Sequence, residues 1–242
     1  MHYGIFSDIH SNLEALEAVI QAFKKEDIDF FICGGDIVGY AANPSECLER
    51  LRGLTDIAVA GNHDFGCVGL FDIESFNPVA KEAMLWTRSR LSDSQKAYLA
   101  SLKLVYEDQN LILVHGSLFE PEKFQYLVSE DLAKKSFGFS AKQLCFIGHS
   151  HIAGAFIQDK SGNIYSTKSN FIDIQQGKKY IVNVGSVGQP RDLNPGACFC
   201  VYDTVKQYIS IKRVDYDIKK AQRKIIEAGL PEFLAVRLSQ GI

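Results

Sequence analysis

The first half of the chain repeats one pattern, an apolar run that ends in small and polar residues. These runs cover residues 2–7, 29–33 and 55–60. After the first run, apolar side chains recur at helical spacing, which predicts a helix over residues 12–25. After the second, Asn43-Pro44 offers a cap and a first-turn proline, which predicts a helix over residues 44–52. The pattern therefore predicts consecutive βαβ units.

The middle of the chain mixes helical and strand-like patterns. Residues 77–102 carry apolar positions at helical spacing with a second cap at Ser92-Asp93, which indicates two consecutive helices. Two apolar runs separated by a polar turn predict a hairpin over residues 104–107 and 111–114. The next predicted elements are a helix and a strand, over residues 128–137 and 143–147.

Beyond residue 153, short strands alternate with turn signals, which predicts a mostly antiparallel sheet. These strands cover residues 155–158, 164–166, 179–184, 197–202 and 208–214. An amphipathic helix over residues 217–228 follows, and the last residues form a further helix or a tail. No linker or repeat divides the chain, so we expect one domain over residues 1–242. Its predicted fold is an α/β, four-layer α/β/β/α sandwich of two mixed sheets flanked by helices.

Composition narrows the class of protein. With 46% hydrophobic and 23% charged residues, the chain can bury a full core. The net charge of −3, from 26 basic and 29 acidic residues, disfavours nucleic-acid binding driven by bulk charge. The start lacks a secretory signal and no stretch approaches the ~18 apolar residues of a membrane span, so we expect a cytoplasmic protein without a membrane partner. The six cysteines form no CxxC pair and are expected to be structural thiols.

Histidine is the informative residue type. Five of the six histidines follow strand-like runs, in short segments rich in glycine, serine, aspartate and asparagine. The polar residues at these strand ends are Asp8, His10, Asp36, Asn62, His63, His115, His149 and His151. Because ligands of open α/β sheets bind beyond the carboxyl ends of the strands, these side chains should converge. Carboxylate, amide and imidazole groups without thiolate suit two divalent cations, drawn from Mn, Fe, Zn, Co and Ni.

Each motif taken alone has a simpler interpretation. Asp8-Ile9-His10 is compatible with turn or capping chemistry, and Gly34-Gly35-Asp36 with a tight turn or a phosphate cradle. Gly61-Asn62-His63-Asp64 is compatible with a type I′ turn. The metal-site hypothesis depends on the combination, since the motifs follow one another in the order carboxylate, carboxylate, amide, imidazole, imidazole pair.

Together the motifs resemble the signature of the calcineurin-like metallophosphoesterases. The matching blocks, within residues 1 to about 190, are Asp8-Ile9-His10, Gly35-Asp36, Gly61-Asn62-His63-Asp64, Val114-His115-Gly116 and Gly148-His149-Ser150-His151. The segment from Asn183 to Asp192 further resembles the small bacterial and archaeal branch of phosphodiesterase-like and diadenosine tetraphosphatase-like proteins. The resemblance implies the metallo-dependent phosphatase fold and a phosphoric ester hydrolase.

The resemblance also implies a role for each site residue. One metal is held by Asp8, His10 and His151, and a second by Asn62, His115 and His149, with Asp36 bridging. His63 is left without a metal and acts at the leaving group, as general acid or as a positive stabiliser. The implied reaction is in-line attack on phosphorus by a hydroxide that bridges two cations, with Mn or Fe favoured.

The chain departs from the protein phosphatases of the family at Gly39-Tyr40. Gly39 stands where those enzymes have an aspartate that pairs with the histidine, so Asp64, a backbone carbonyl or no group orients His63. Tyr40 stands where they have an arginine that grips phosphate, which weakens the prediction of a protein phosphatase.

Arg191 is the candidate replacement for that arginine. A guanidinium in a loop that follows a strand can contact phosphate through two hydrogen bonds, although Arg191 is equally compatible with a surface pair to Asp192. The aromatic residues that flank the motif loops either stack on a base or serve packing, and they are Tyr40, Phe65 and Phe71.

The leading hypothesis is a two-metal hydrolase of a small phosphodiester or nucleotide. The alternatives are a phosphomonoesterase or protein phosphatase, a catalytically silent binding scaffold of the same fold, and a nuclease, which the charge disfavours. The sequence leaves open a homo-oligomer, and whether residues 71–102 form a lid or a dimer surface.

Overall fold

Eleven strands and eight α-helices make up the protein, whose computed structural model describes residues 1–242. The strands are β1 (His2–Phe6), β2 (Phe30–Cys33), β3 (Val105–Glu107), β4 (Ile112–Val114), β5 (Leu144–Ile147), β6 (Gly154–Gln158), β7 (Ile164–Thr167), β8 (Phe171–Asp173), β9 (Lys179–Asn183), β10 (Ala197–Asp203) and β11 (Tyr208–Val214). The helices are α1 (Leu13–Phe23), α2 (Pro44–Arg52), α3 (Asn62–Val68), α4 (Pro78–Arg90), α5 (Asp93–Ser101), α6 (Glu130–Phe139), α7 (Ile218–Glu227) and α8 (Glu232–Gln240).

The strands form two mixed sheets. One has five strands in the order β2-β1-β10-β11-β8, and the other has six in the order β3-β4-β5-β9-β6-β7. β1 and β2 run parallel, as do β4, β5 and β9, whereas the other neighbouring strands are antiparallel. Four of the parallel strands, β1, β2, β4 and β5, precede the polar motifs, so these motifs follow the carboxyl ends of their sheets.

The two sheets pack face to face between outer layers of helices. Alternate residues of β1, Tyr3 and Ile5, enter a core between the sheets that also contains Phe146 of β5. Phe6 belongs to a second core, between the five-stranded sheet and α1. Phe137 of α6 belongs to a third, on the outer face of the six-stranded sheet. The predicted four-layer α/β/β/α sandwich is confirmed.

Capping side chains explain where several helices begin. Asn12 accepts a hydrogen bond from the backbone N–H of Ala15 at 3.2 Å and so starts α1. Ser92 and Gln95 form a reciprocal capping box at the start of α5, which is where the predicted break between the two helices falls. At the other end of the chain, α7 and α8 pack with α4 around Tyr40 and thereby support one wall of the site.

The structure differs from the sequence-based elements at three places. Residues 55–60 form no strand, since Ala58 and Val59 make only isolated bridges. The segment beginning at Gly61 is not a type I′ turn but the start of α3, where the side chain of Asp64, the third residue of the helix, accepts the Gly61 N–H at 3.0 Å. The sequence patterns also did not predict the short strand β8. One domain over residues 1–242 stays a prediction.

Two findings bear on the expected environment of the chain. All six cysteines are buried and free, as structural thiols should be. No helix has both the length and the apolar character needed to cross a membrane.

Candidate metal centre and substrate cavity

All seven predicted metal ligands are buried at one edge of the fold. The loops after β1, β2, β4 and β5, together with the start of α3, carry Asp8, His10, Asp36, His115, His149, His151 and Asn62. None of these residues exposes more than 8% of its surface. Because charged groups are buried only with compensating partners, this concentration of carboxylates and imidazoles marks a functional site.

The ligand atoms fall into two groups that share Asp36. In one group an atom each of Asp8, His10, Asp36 and His151 lie within 4.8 Å of one another, and in the other the same holds for Asp36, His115 and His149. Oδ2 of Asp36 lies 3.5 Å from Nε2 of His10 and 3.3 Å from Nε2 of His115. Asp36 therefore belongs to both groups and lies between them.

Backbone carbonyls orient three of the four imidazoles. The Nδ1–carbonyl pairs, at 3.2, 2.7 and 2.6 Å, are His10 with Val38, His115 with Gly34 and His151 with Gln189. Because a carbonyl can only accept, Nδ1 donates, and Nε2, the atom that faces the carboxylates, is the nitrogen left to bind a cation. The Nε2 atoms of His10 and His151 are 3.0 Å apart. Two lone pairs at this separation fit a shared cation.

Two further buried ligand atoms have no hydrogen-bond partner within the protein. They are Oδ1 of Asn62 and Nε2 of His115. An unsatisfied buried polar atom is costly, so such atoms in a native fold call for an external partner. The residues present therefore fit divalent cations with mixed nitrogen and oxygen ligands.

Burial and neighbouring charges set the ionisation of the site. Burial opposes the charged form of Asp36, yet the imidazoles of His115 and His63 hold its pKa well below its usual range. Burial likewise opposes the charged form of His115, but Asp36 and Asp8 raise its pKa to about 9. Burial lowers the pKa of His149 to about 3. The carboxylates are thus anionic at neutral pH and available to bind cations.

The backbone around the ligands adopts conformations that ordinary residues rarely take. Positive φ values, between 48° and 66°, occur at Asp8, His10, Asp36, His149 and His151. Gly61 approaches Asp36 so closely that a Cβ would overlap the carboxylate, and the His63 N–H donates to Asp36 Oδ1 at 2.8 Å. The backbone of Gly61 and the N–H of His63 together hold the Asp36 carboxylate in place.

His63 lies beside the ligands and is held by aromatic contacts instead of a hydrogen bond. Its Nδ1 is buried without a partner, and its ring centroid lies 4.5 Å from that of Tyr40 and 5.0 Å from that of Phe76. Asp64 does not orient it, because the Asp64 carboxylate accepts N–H groups of Ile37, Val38 and Gly61. Burial lowers the pKa of His63 to about 4. Of the three predicted possibilities, the structure matches the one without an orienting group.

Replacing Gly39 with the aspartate of protein phosphatases should displace His63. A Cβ at Gly39 would lie 2.5 Å from Nδ1 of His63, and φ at this position is +94°. We expect Gly39→Asp to lower kcat about 10²-fold, the scale of a misplaced catalytic group. Steady-state kinetics with a 4-nitrophenyl phosphodiester would measure the effect.

Gly162→Asp is the matched control for this change. Gly162 has φ of +87° but nothing lies within 4 Å of an added Cβ, so backbone strain is similar and the clash is absent. We expect the control to lower the melting temperature and to retain kcat. A Gly39→Asp variant with unchanged or raised kcat would show that the contact with Gly39 does not position His63.

Arg191 lies at the rim of the site and does not pair with its neighbour in sequence. It donates to Oε1 of Gln189 at 2.8 Å and to Oη of Tyr40 at 3.4 Å, while its Nε is buried without a partner. Asp192 pairs instead with Arg213. The alternative prediction of a surface pair between Arg191 and Asp192 is therefore wrong, and Arg191 retains a free donor.

A cavity of about 360 Å³ opens beside the ligands Asn62 and His149. Its aromatic wall consists of Tyr40, Phe71, Phe76, Phe124 and Tyr126. Of the three predicted aromatic residues, Tyr40 and Phe71 line the cavity, whereas Phe65 is outside the lining and packs on Phe124 with ring centroids 6.1 Å apart. The other lining rings were missed because they lie outside the motifs, in segments without periodicity.

Comparison with known proteins decides the family. The model of the calcineurin-like phosphoesterase superfamily domain matches residues 1–207. The chain belongs to the calcineurin-like phosphoesterase superfamily. An uncharacterised protein of Methanocaldococcus jannaschii is 42% identical over 242 residues, 98% of this chain and 97% of that one. The phosphodiesterase YfcE of Escherichia coli is 26% identical over 203 residues, 79% of this chain and 82% of its own.

The fold of this calcineurin-like phosphoesterase is shared over its whole length. The crystal structure of a metallophosphoesterase from Sphaerobacter thermophilus is 38% identical, with a TM-score of 0.88, and the match covers 100% of this chain and 99% of that one. The likeness therefore includes α7 and α8, which lie beyond the 1–207 match. The prediction of a metal-dependent phosphoric ester hydrolase is confirmed by the family.

Proposed function

We propose that the protein hydrolyses a small phosphodiester with the help of two divalent cations. The observation that carries the proposal is the pair of buried ligand groups that share Asp36. A site with a single group would hold one ion, whereas a carboxylate common to two groups is the arrangement that two-metal hydrolases require. Mn or Fe suits this oxygen and nitrogen ligand set.

The two ions would be held by different strand ends. Asp8, His10 and His151 would bind one, Asn62, His115 and His149 the other, and Asp36 both. When bound, the cations supply Lewis acidity, which activates water and neutralises charge on the phosphoryl oxygens. The chain contributes the fixed orientation of the ligands, through the carbonyls that hold Nδ1 of His10, His115 and His151 and through the close approach of Gly61 to Asp36.

His63 would act on the departing oxygen. It lines the cavity beside Asn62 and His149, so a substituent of the phosphate that enters the cavity passes next to its ring. Even a neutral imidazole keeps one N–H, which can donate to the leaving oxygen. Arg191, whose guanidinium donates to Oη of the cavity residue Tyr40, would contact a phosphoryl oxygen.

A phosphodiester is favoured over a phosphoprotein. The segment Gly39-Tyr40 offers no arginine to grip a dianionic phosphate, and a curated relative of the chain is named a phosphodiesterase. The net charge of −3 gives no basic surface for tracking a nucleic acid. Small esters, including nucleotides, therefore fit the site better than macromolecules.

A substrate panel with Mn²⁺ tests the proposal. The panel compares an aryl diester, an aryl monoester, a cyclic nucleotide and a dinucleoside polyphosphate, and elemental analysis of chelator-free protein gives the number of bound ions. We expect highest kcat/KM for a diester and about two ions per chain. Preference for the monoester would instead support the phosphomonoesterase alternative, and absence of all hydrolysis would overturn the proposed function.

Chelation should destabilise the fold. A ligand that binds only the native state at 100 times its Kd adds about 2.7 kcal/mol, or roughly 5–10 °C in melting temperature for a chain of this size. We therefore expect EDTA to lower the melting temperature by about this amount and Mn²⁺ to restore it. Scanning calorimetry measures the shift without any substrate. Equal melting temperatures with and without EDTA would contradict a tightly bound metal centre.

A further inference from the structure

We infer that the aromatic cavity beside the metal ligands binds the nucleoside part of the substrate, with the base stacked on Tyr126. The inference rests on the proposed function and narrows it from small phosphodiesters to esters of a nucleoside. It depends on three features of the described structure: the position of the cavity, the absence of charge in its lining, and the exposed ring of Tyr126.

The cavity begins at the metal ligands themselves. Asn62 and His149 belong both to the ligand set and to the cavity wall, and His63 lies between the ligands and the aromatic rings. A phosphate held at the ligands therefore directs one of its substituents into the cavity. Its volume of about 360 Å³ is near the lower end of small-molecule sites, which suits one nucleoside and not a protein segment.

The lining of the cavity carries no aspartate, glutamate, lysine or arginine. A chain of further phosphates would enter this cavity without a cation to meet it, and a phosphopeptide would lose the water around its polar backbone. A planar and uncharged group instead gains from stacking on the aromatic rings, which tolerates any base. The electrically neutral wall therefore selects a nucleoside over a polyphosphate at this position.

Tyr126 offers a prepared stacking surface. Its ring lies parallel to that of His149, with centroids 3.9 Å apart and 14° between planes, yet the residue remains 49% exposed. A large aromatic side chain fixed by one neighbour and open to solvent loses little freedom when a second planar group stacks on it. Asn77 lies on the same wall, and its side-chain NH₂ makes no hydrogen bond in the protein, so it can donate to a base edge.

Two phosphorylated ligands, one with a base and one with a hydroxyl in its place, test the inference. Adenosine 5′-monophosphate and ribose 5-phosphate share phosphate and sugar, so the ratio of their Kd values for the Mn²⁺-loaded protein reports the base alone. We expect adenosine 5′-monophosphate to bind roughly ten- to a hundredfold more tightly, the scale of one stacked base. Isothermal titration calorimetry measures both constants without turnover.

Variants then assign the effect to Tyr126. Tyr126→Ala should lower the ratio to within about threefold of one, because base stacking is lost, while Tyr126→Phe should retain it. Tyr165→Ala removes a tyrosine that is 39% exposed and outside the cavity, so the wild-type ratio should persist. Any loss of metal affinity through His149 affects both ligands alike and cancels in the ratio.

The outcomes separate this inference from the proposed function. A ratio near one in the wild type, or a high ratio that survives Tyr126→Ala, would overturn the nucleoside subsite while hydrolysis of simple diesters still supports the proposed function. Failure to bind metal or to hydrolyse any ester would overturn the proposed function itself, whatever the ratio.

Discussion

Asp36→Asn should lower kcat for an aryl phosphodiester by about 10³-fold or more. The Asp36 carboxylate is shared by both ligand groups, and asparagine has nearly the same shape but no charge. Bound metal contributes several kcal/mol to stabilising the transition state, and each ~1.36 kcal/mol is a factor of ten in rate. The substitution should also lower the metal content, which elemental analysis measures on the same preparation.

Asp203→Asn provides the matched control. Asp203 is 1% exposed and accepts N–H groups of Val205 and Lys206, but it lies at the end of β10, outside the ligand groups. We expect this variant to keep the wild-type kcat and metal content. If Asp36→Asn matched it in both measurements, Asp36 would not be the shared ligand.

His63→Ala should lower kcat by about 10²–10⁴-fold, the usual contribution of a group that transfers or shares a proton at the leaving oxygen. The size of the loss should depend on the leaving group. Phenolate is a poorer leaving group than 4-nitrophenolate and needs more stabilisation, so the phenyl ester should lose more than the 4-nitrophenyl ester. Initial rates with both diesters give the two ratios.

His2→Ala is the control for His63→Ala. His2→Ala removes the histidine without a proposed role, which is partly exposed and pairs with Asp203, and it should change neither rate. An equal loss for both esters in His63→Ala would indicate a role in binding or in metal retention instead of a role at the leaving oxygen.

The edge of the fold that carries the site could be predicted from local patterns. Asp8, Asp36, His115 and His149 each follow a short apolar run, and parallel strands bring such positions to one edge. Alternation within the runs also separates the two faces of β1, with Ile5 in the core between the sheets and Phe6 against α1. Both inferences need only the period of a strand and the direction of the chain.

The parts that escaped prediction depend on contacts between distant segments. The start of α3 is set by Asp64, whose carboxylate accepts the N–H groups of Ile37 and Val38, more than twenty residues earlier. The apolar run at residues 55–60 has the composition of a strand, but it pairs with its neighbours at only isolated positions. No local pattern reports either contact.

The same limit applies to the substrate cavity. Tyr126 lies in an irregular segment, and nothing in its sequence neighbourhood indicates that its ring stacks on His149. The sequence left three possibilities for what orients His63, and only the tertiary structure shows that its ring packs between Tyr40 and Phe76 without a hydrogen-bond partner. The residues that form the substrate cavity are therefore harder to predict from sequence than the metal ligands, because tertiary packing brings them together.

Anomalous diffraction from crystals grown with Mn²⁺ tests the two-metal claim most directly. The predicted result is two anomalous peaks with Asp36 as ligand to both, one also bound by Asp8, His10 and His151 and the other by Asn62, His115 and His149. A single peak, or peaks away from these seven residues, would contradict it.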